Sequence, residues 1–466
     1  MKKIYILLLS VFVIYSCKND SAPAANQETE APQETASLAT LPLPNWAKAA
    51  NIYEVNLRQY TQEGTFNAFS KNLPRLKRMG VDILWFMPIF PISDTKKKGS
   101  LGSYYAVTDF RATNPEFGTM EDFDYMVARA HAMGMKVIID WVPNHTGWDH
   151  VWIAQHPEYF TQNDKGEIVD PINPETGESW GWTDVADLNY DNQDMRKQML
   201  DDMMFWVTDH AIDGFRMDVA HGVPNDFWKT FTETAIATND SLFLLGETEK
   251  IDQANEGYFH MIYGWEMHHM MNEIAKGEKN VNDLDSLLKA KHNELEEGIF
   301  MQFITNHDEN SWSGTAKERL GDGVDVFTVL AYTYDGMPLV YGGQEEPLDK
   351  RLEFFEKHVI PFKNYKKEKL IRALLELKHR NKALWNGEFG GTLERVADSE
   401  HVYAFTREKD GDKVAVIVNL SDERREVVLT KPIFGMTEIF TGKATEMGEG
   451  TRKRLDAWEY WVASNR

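Results

Sequence analysis

Four short apolar runs in this chain each end in a cluster of acidic, amide or histidine side chains. They lie within Val137–His145, Asp213–His221, Leu242–Glu247 and Phe300–Asp308. A continuous apolar run of this length is typical of a strand buried on both faces of a parallel sheet. Polar groups that follow the C-terminal ends of several such strands are characteristic of a (β/α)8 barrel enzyme. We therefore predict an α/β fold of the (β/α)8 TIM barrel type.

The second of these stretches contains an arginine and an aspartate two residues apart. In a strand, residues at this spacing share a face, so Arg216 and Asp218 point the same way. A cation beside a carboxylate keeps that carboxylate ionised, which a nucleophilic aspartate requires. On this stretch alone, a structural ion pair at a strand end explains the pattern equally well.

Composition restricts the possible partners. The chain has 466 residues, 42% of them hydrophobic, and a formal net charge of -23. Such a charge argues against nucleic acid and polyanionic substrates, because it leaves no basic surface on average to bind phosphates. A neutral substrate and a soluble globular protein with more than one domain are the expectation.

The chain divides into a barrel with one insertion and a C-terminal domain. Residues 45–385 are predicted to form the barrel. A loop as long as 146–191, after the third strand, favours a small inserted domain, called domain B here. Beyond residue 386 the short strands and Asp-Gly turns predict an antiparallel β-sandwich at 386–466, called domain C here.

The four stretches resemble the signature motifs of the α-amylase family, glycoside hydrolase family 13. The family's D-x-x-x-N-H, G-x-R-x-D, strand-ending Glu and N-H-D motifs occur in the family's order at Asp140–His145, Gly214–Asp218, Glu247 and Asn306–Asp308. The resemblance covers roughly residues 51–362. It implies retaining hydrolysis of α-1,4-glucosidic bonds in starch, glycogen or maltooligosaccharides by double displacement.

The resemblance also implies roles for individual residues. Asp218 matches the nucleophile, Glu247 the general acid and base, and Asp308 an acid that binds sugar hydroxyls. Neighbouring strands lie about 4.8 Å apart, which suits the roughly 5–5.5 Å between the carboxyl groups of retaining enzymes. The apolar run before Glu247 predicts a raised pKa for its carboxyl group. The expected substrate-binding residues are Tyr105, His145, Arg216, His307 and His221.

A structural metal is a further expectation from the family. Asn144 and Asp187 match positions that help the family to bind Ca2+, and oxygen ligands suit calcium. The resemblance implies no organic cofactor. With Cys17 as its one cysteine, the chain cannot form an intramolecular disulfide or a cysteine-based zinc site.

The N-terminus predicts export and a lipid anchor. Residues 1–16 combine two lysines with an apolar run too short to span a membrane, as in a signal peptide. Ile14-Tyr15-Ser16-Cys17 resembles a bacterial lipobox, so we expect lipidation at Cys17 and a lipidated flexible tether at 17–44. A monomer at the cell envelope, on the periplasmic face or the cell surface, is the predicted form. An ordinary secretory signal with an incidental cysteine is the alternative.

Several activities remain open on the same site. His221 and Gly222 stand where many α-amylases carry a Lys-His pair, and the segment looks closer to neopullulanases and cyclomaltodextrinases. A transglycosylase would use the same covalent intermediate. An inactive glucan-binding protein on this fold is a third class, because fold does not imply function, but the intact acids Asp218, Glu247 and Asp308 argue against it.

Overall fold

The computed structural model describes residues 41–173 and 176–466. The predicted signal peptide, the lipidation site Cys17 and most of the predicted tether lie outside the described residues. Within the described ranges, no helix combines the length and apolar composition needed to cross a membrane.

Eight parallel strands close into a barrel in the order β1-β10-β9-β8-β7-β6-β3-β2. The other two strands of the first ten, β4 and β5, pair with each other in an antiparallel ribbon. The ten strands are β1 (Ile52–Val55), β2 (Ile83–Phe86), β3 (Lys136–Trp141), β4 (His145–Gly147), β5 (Val185–Asp187), β6 (Gly214–Met217), β7 (Phe243–Gly246), β8 (Met261–Tyr263), β9 (Ile299–Gln302) and β10 (Met337–Tyr341).

Helices surround the barrel and cover its outer face. They are α1 (Leu57–Tyr60), α2 (Phe66–Ser70), α3 (Leu73–Met79), α4 (Met120–Ala132), α5 (Val151–Gln155), α6 (Gln193–Thr208), α7 (Asn225–Thr238), α8 (Ile251–Asn255), α9 (Trp265–Ala275), α10 (Val281–Glu294), α11 (Ala316–Leu320), α12 (Val324–Thr333) and α13 (Glu368–Arg380). This architecture confirms the predicted (β/α)8 fold.

The apolar runs of the sequence are buried on both faces of the barrel. Alternate side chains such as Trp85, Ile138 and Leu245 fill the barrel interior, and their neighbours pack outward against the helices. Each strand therefore reads as a nearly continuous hydrophobic run, because neither of its faces meets water. The polar residues that follow the strands gather at the C-terminal mouth of the barrel.

Two segments that read as single helices in the sequence are broken. The predicted helix at 65–79 is split into α2 and α3, because Pro74, in the first turn of α3, has no N–H to continue the hydrogen bonds of α2. The predicted helix at 316–334 is split into α11 and α12 at Gly321, whose φ is +56°. Each break falls where the local residues oppose a continuous helix.

The insertion between β3 and α6 lies beside the barrel mouth. It contains the β4–β5 ribbon, in which His145 pairs with Asp187, and the short helix α5. Because β4 follows β3 almost directly, the ribbon places His145 at the mouth.

The C-terminal residues form an antiparallel sheet with its own small core. Six strands run in the order β11-β12-β13-β18-β15-β16, and β14 pairs with β17 separately. These strands are β11 (Thr392–Arg395), β12 (Val402–Lys409), β13 (Asp412–Asn419), β14 (Arg425–Val428), β15 (Ile433–Glu438), β16 (Ala444–Met447), β17 (Arg452–Leu455) and β18 (Tyr460–Ser464). Buried Arg407 fastens the sheet to the barrel through an ion pair with Asp335, 3.2 Å away.

Candidate active site

The predicted catalytic acids meet in one cleft at the mouth of the barrel. Asp218 follows β6, Glu247 follows β7, and Asp308 lies beyond the end of β9. All three line a cavity of about 940 Å3, together with the predicted sugar contacts Tyr105, His145, His221 and His307. The barrel thus brings together groups that are up to 203 residues apart in sequence.

Arg216 is the buried cation at the centre of this cluster. Its side chain has no exposed surface, and its Nη1 lies 2.8 Å from Asp218 Oδ1 and 2.9 Å from Asp140 Oδ1. Its Nη2 lies 2.7 Å from Glu247 Oε1, and its Nε donates to the Tyr263 hydroxyl at 3.1 Å. One cation therefore faces three carboxyl groups, and their mutual repulsion favours retention of a proton within the group.

The pKa values of the two principal acids depart from their usual values in opposite directions. Burial and the charge of Glu247 raise the pKa of Asp218 well above its usual value, although Arg216 lowers it. Burial also acts to raise the pKa of Glu247, but Arg216 and the Val219 N–H, which donates at 2.8 Å, outweigh burial and lower it. The two carboxyl groups are therefore coupled through Arg216 and share their protons as a pair.

This order of pKa values is the reverse of the sequence-based expectation. The apolar residues that precede Glu247 pack inside and outside the barrel wall, so they do not surround its carboxyl group. The predicted rise in the pKa of Glu247 is not found in the unliganded protein, because Arg216 and the Val219 N–H lower it. The two groups interact strongly enough to titrate as one pair.

The backbone directly after Asp218 is strained. Val219 has a φ of +47°, in the left-handed region that a β-branched residue rarely adopts. Such a conformation costs about 1–3 kcal/mol and persists where surrounding contacts hold it. Here the strain aims the Val219 N–H at Glu247 Oε2 and so orients the second acid relative to the first.

A second hydrogen-bonded chain orients Asp308. His307 Nε2 lies 3.2 Å from Asp308 Oδ2 and 2.8 Å from the Tyr105 hydroxyl. Its Nδ1 lies 2.5 Å from Glu54 Oε1, and Glu54 is fully buried in β1. Burial opposes a charge on His307, but Asp308 and Glu54 prevail and raise its pKa to about 9. At neutral pH, His307 is therefore a cation whose charge faces Asp308, while its Nε2–H donates to the Tyr105 hydroxyl.

We expect Glu54→Gln to shift the alkaline limb of the pH–activity profile to lower pH. Glutamine removes the buried charge that helps to keep His307 protonated, while Asp308, Asp140, Glu247, Arg216 and Tyr105 still face the ring. A roughly threefold loss of kcat/KM at pH 8.5, with near wild-type activity at pH 6, would follow from a fall of about one unit in the pKa of His307.

The matched control for this prediction is Glu63→Gln, the same change at an exposed glutamate. Titration of the His307 ring by NMR provides the second readout. An unchanged pKa of His307 in Glu54→Gln would show that Glu54 only packs in β1.

The remaining predicted sugar contacts of the cleft, His145 and His221, differ in their exposure. His145 is buried, and its ring lies 5.7 Å from that of Trp182. Burial lowers the pKa of His145 to about 4, despite the charges of Asp184 and Glu247, so it is neutral at pH 7. His221 is at the exposed rim, 6.0 Å from Trp180 between ring centroids.

The calcium site stays a prediction. Asn144 Nδ2 lies 3.4 Å from His145 Nδ1, while Asp187 lies in the β4–β5 ribbon with a pKa that burial raises to about 6. Among the described residues, no three His, Cys, Asp or Glu side chains come together as a metal-binding group. Asn144 and Asp187 alone supply too few of the six to eight oxygen ligands that calcium takes, and the reaction proposed for the acids does not involve a metal.

The sequence motifs did not identify several residues that contact the catalytic acids or line the cleft. Glu54 is a lone carboxylate inside an apolar strand, a signal that could have identified it. No feature of the sequence marked Tyr263 as part of the site, because a tyrosine in a barrel strand is ordinary. The aromatic walls of the cleft come from segments far apart in sequence and are made by Trp180, Trp182, Trp312, Phe354 and Phe355.

Paired carboxyl groups in an aromatic-lined cleft at the mouth of a barrel define a glycoside hydrolase. The chain belongs to the α-amylase family, because the family model for the alpha amylase catalytic domain matches residues 33–380.

Named relatives share this family. The chain is 26% identical to the α-amylase MalA of Haloarcula japonica over 86% of its own length, and spans 59% of that relative. It is 25% identical to neopullulanase 2 of Thermoactinomyces vulgaris, over 88% of this chain and 76% of that one. The solved structure of a maltogenic α-amylase, AmyB, from Thermotoga neapolitana superposes with a TM-score of 0.80 at 26% identity, covering 90% of this chain and 99% of the other.

Proposed function

We propose that this protein hydrolyses α-1,4-glucosidic bonds in starch, glycogen or maltooligosaccharides with retention of anomeric configuration. The observation that carries the proposal is the bridge made by Arg216, whose guanidinium contacts both Asp218 and Glu247. A single cation in contact with both groups holds them close to each other. That closeness suits direct attack by a carboxylate, as in retaining enzymes, whose two carboxyl groups lie roughly 5–5.5 Å apart.

The proposed reaction uses the one proton that the acid pair holds. When substrate fills the cleft, this proton is on Glu247 and Asp218 is ionised. The Asp218 carboxylate then attacks the anomeric carbon, while Glu247 protonates the departing glycosidic oxygen and the C–O bond breaks. In the second step Glu247 takes a proton from water, whose oxygen attacks the same carbon and displaces Asp218.

The surrounding residues position the sugar that is being cleaved. Asp308, held by the His307 cation, accepts hydrogen bonds from sugar hydroxyls, and neutral His145 contacts the same ring. Tyr105 presents its aromatic face, because its hydroxyl is occupied by His307 and by Asp140 at 3.1 Å. These contacts let binding energy distort the ring toward its transition-state shape.

The first product is expected to be the α-anomer. Two inversions at the same carbon restore the starting configuration. Proton NMR of maltopentaose digested by the purified enzyme, recorded before mutarotation, checks this result. A β-anomer as the initial product would contradict the two-step reaction, and the absence of any cleavage would contradict the proposed function.

A neopullulanase-like or cyclomaltodextrinase-like activity is the second candidate. The observation that favours it is Gly222, where a Cβ would lie only 2.6 Å from Asn144 Oδ1 and 3.2 Å from Trp180. A larger side chain here would require Asn144 to shift, so the site carries glycine in place of the histidine of many α-amylases, and His221 lies at the rim. Product profiles on starch, pullulan and cyclodextrins separate the candidates and also reveal any transglycosylation.

We propose further that the enzyme is a monomer anchored at the cell envelope through a lipid on Cys17. The support is the position of this single cysteine directly after an apolar run and before a polar segment. Several acyl chains together give stable anchoring, each buried CH2 adding about 0.8 kcal/mol.

Replacement of Cys17 by serine is expected to move the protein from the membrane fraction to the soluble fraction of a native-like host. Serine cannot form the thioether to which lipid is attached. Fractionation followed by immunoblotting measures the change, with Ser16→Ala as the matched control. A Cys17→Ser protein that stays with the membranes would rule out this anchor.

A further inference from the structure

One ion pair crosses the rim of the catalytic cleft. Lys98, from the loop after β2, lies with its Nζ 2.6 Å from Oδ1 of Asp184, in the segment that enters β5. Both residues line the cleft itself. The side chain of Asp184 is only 8% exposed, so it would be costly to leave without a partner.

The backbone that carries Lys98 is fixed on the side of the insertion. Asp149 accepts hydrogen bonds from Ser93 Oγ at 3.0 Å and from the Asp94 and Thr95 N–H groups at 2.8 Å each. Lys96 Nζ lies 3.2 Å from the centre of the Trp148 ring. These contacts make the loop at 93–98 a continuation of the inserted segment.

The same loop is fixed on the side of the segment that follows β10. The Leu101 N–H donates to the Phe355 carbonyl at 3.0 Å, and the Ser100 N–H to Glu356 Oε1 at 2.7 Å. A Cβ at Gly99 would lie 2.4 Å from the Cβ of Phe355, so the two segments touch. The loop is thus fixed by contacts at both ends, and it forms one wall of the cleft.

Aromatic residues extend this wall in both directions. On one side the Trp182 ring packs against the tilted Trp180 ring, with 4.6 Å between ring centroids. On the other, Phe355 lies 5.8 Å from the exposed Trp312. The rim is therefore continuous from Trp180 through the ion pair to Trp312.

The wall stands on the side of the sugar that the nucleophile holds. Asp184 acts electrostatically on His145, and the loop of Lys98 continues to Ser103, whose Oγ accepts from the Tyr105 N–H at 3.1 Å. His145 and Tyr105 are the proposed contacts of that sugar.

From this arrangement we propose that the Lys98–Asp184 ion pair closes the glycone end of the cleft. The substrate is then the non-reducing end of an α-glucan, cleaved to release one short product of fixed length. The inference rests on the proposed hydrolase function and adds the mode of attack. A glucan that extended through this end of the cleft would have to break the ion pair and leave Asp184 without its partner.

The test uses maltoheptaose that carries a fluorescent label at its reducing end. Attack from a closed glycone end removes one short unit at a time. At less than a tenth of full conversion, we expect a single labelled product and a single unlabelled product of one or two glucose units. Labelled products of every length from the first time point would overturn the proposal. No cleavage at all would instead reject the hydrolase function.

Variants of the ion pair test the role of these two residues. We expect Lys98→Ala, and the double variant Lys98→Ala/Asp184→Ala, to release unlabelled products longer than two glucose units at tenfold or more the wild-type level. Lys97→Ala is the matched control, since Lys97 pairs instead with Asp94 outside the cleft lining. Both opened variants retaining the wild-type product pattern, with unchanged thermal midpoints, would overturn the role of the ion pair.

Discussion

Asp218→Asn is expected to lower kcat on maltooligosaccharides by about 10^4-fold or more while the protein stays folded. Asparagine has nearly the same shape and can still accept from Arg216 Nη1, which lies 2.8 Å from Asp218 Oδ1. Its amide nitrogen cannot displace the glycosidic oxygen, so no glycosyl–enzyme intermediate forms. The measurement is initial-rate kinetics with a chromogenic maltooligoside, paired with thermal unfolding.

The control for this experiment is Asp201→Asn, the same change at an exposed position of α6. It should leave the rate unchanged, and neither variant should move the thermal midpoint by more than about 4 °C. If Asp218→Asn retained a tenth of the wild-type rate, the nucleophile would have to be another residue.

Glu247→Gln is expected to produce a loss that depends on the leaving group. General acid–base catalysis contributes about 10^2–10^4-fold, so kcat/KM on maltooligosaccharides should fall within that range. An aryl glycoside with an acidic phenol needs little protonation to depart, so its bond-breaking step should be affected much less. Comparison of the two substrates with wild type and variant measures the difference.

Glu249→Gln is the control for this second prediction, because Glu249 is an exposed glutamate two residues along the chain. Its kinetics should match wild type on both substrates. Equal losses on both substrates in Glu247→Gln would indicate a positioning role for Glu247 through Arg216. The acid would then have to be sought elsewhere in the cleft.

The barrel could be predicted because its determinants are local. Each apolar run is short and ends at the polar residues that form the site, so strand positions and the mouth of the barrel followed from the pattern. The breaks at Pro74 and Gly321 could have been placed by the same local reasoning. The sixth strand of the barrel, β8, has only three residues, so its apolar pattern is too short to define its bounds.

The chemistry of the site was predicted less completely, because it depends on distant residues. The motifs located Asp218, Glu247 and Asp308, but the pKa order of the first two depends on where Arg216 and the Val219 N–H point. The left-handed backbone at Val219 has no signature in the sequence. Glu54 and His307 lie 253 residues apart and meet only because β1 and β9 both border β10.

The position of the acid-pair proton shapes the expected pH dependence. Activity requires one proton on the Asp218–Glu247 pair. The fully deprotonated pair has no general acid, and the doubly protonated pair has no nucleophile. The profile should therefore be bell-shaped, with limbs that belong to the pair and not to either residue alone. Loss of the His307 proton, whose pKa is raised to about 9, would add to the alkaline limb.

Trapping of the covalent intermediate tests the proposed mechanism most directly. A 5-fluoroglycosyl fluoride reacts with the nucleophile of a retaining enzyme, and its ring fluorine then slows release of the sugar. After incubation with such a reagent, digestion and tandem mass spectrometry should locate the fluorosugar on Asp218. An adduct on any other carboxylate, or no adduct from an enzyme that the reagent inactivates, would contradict the account.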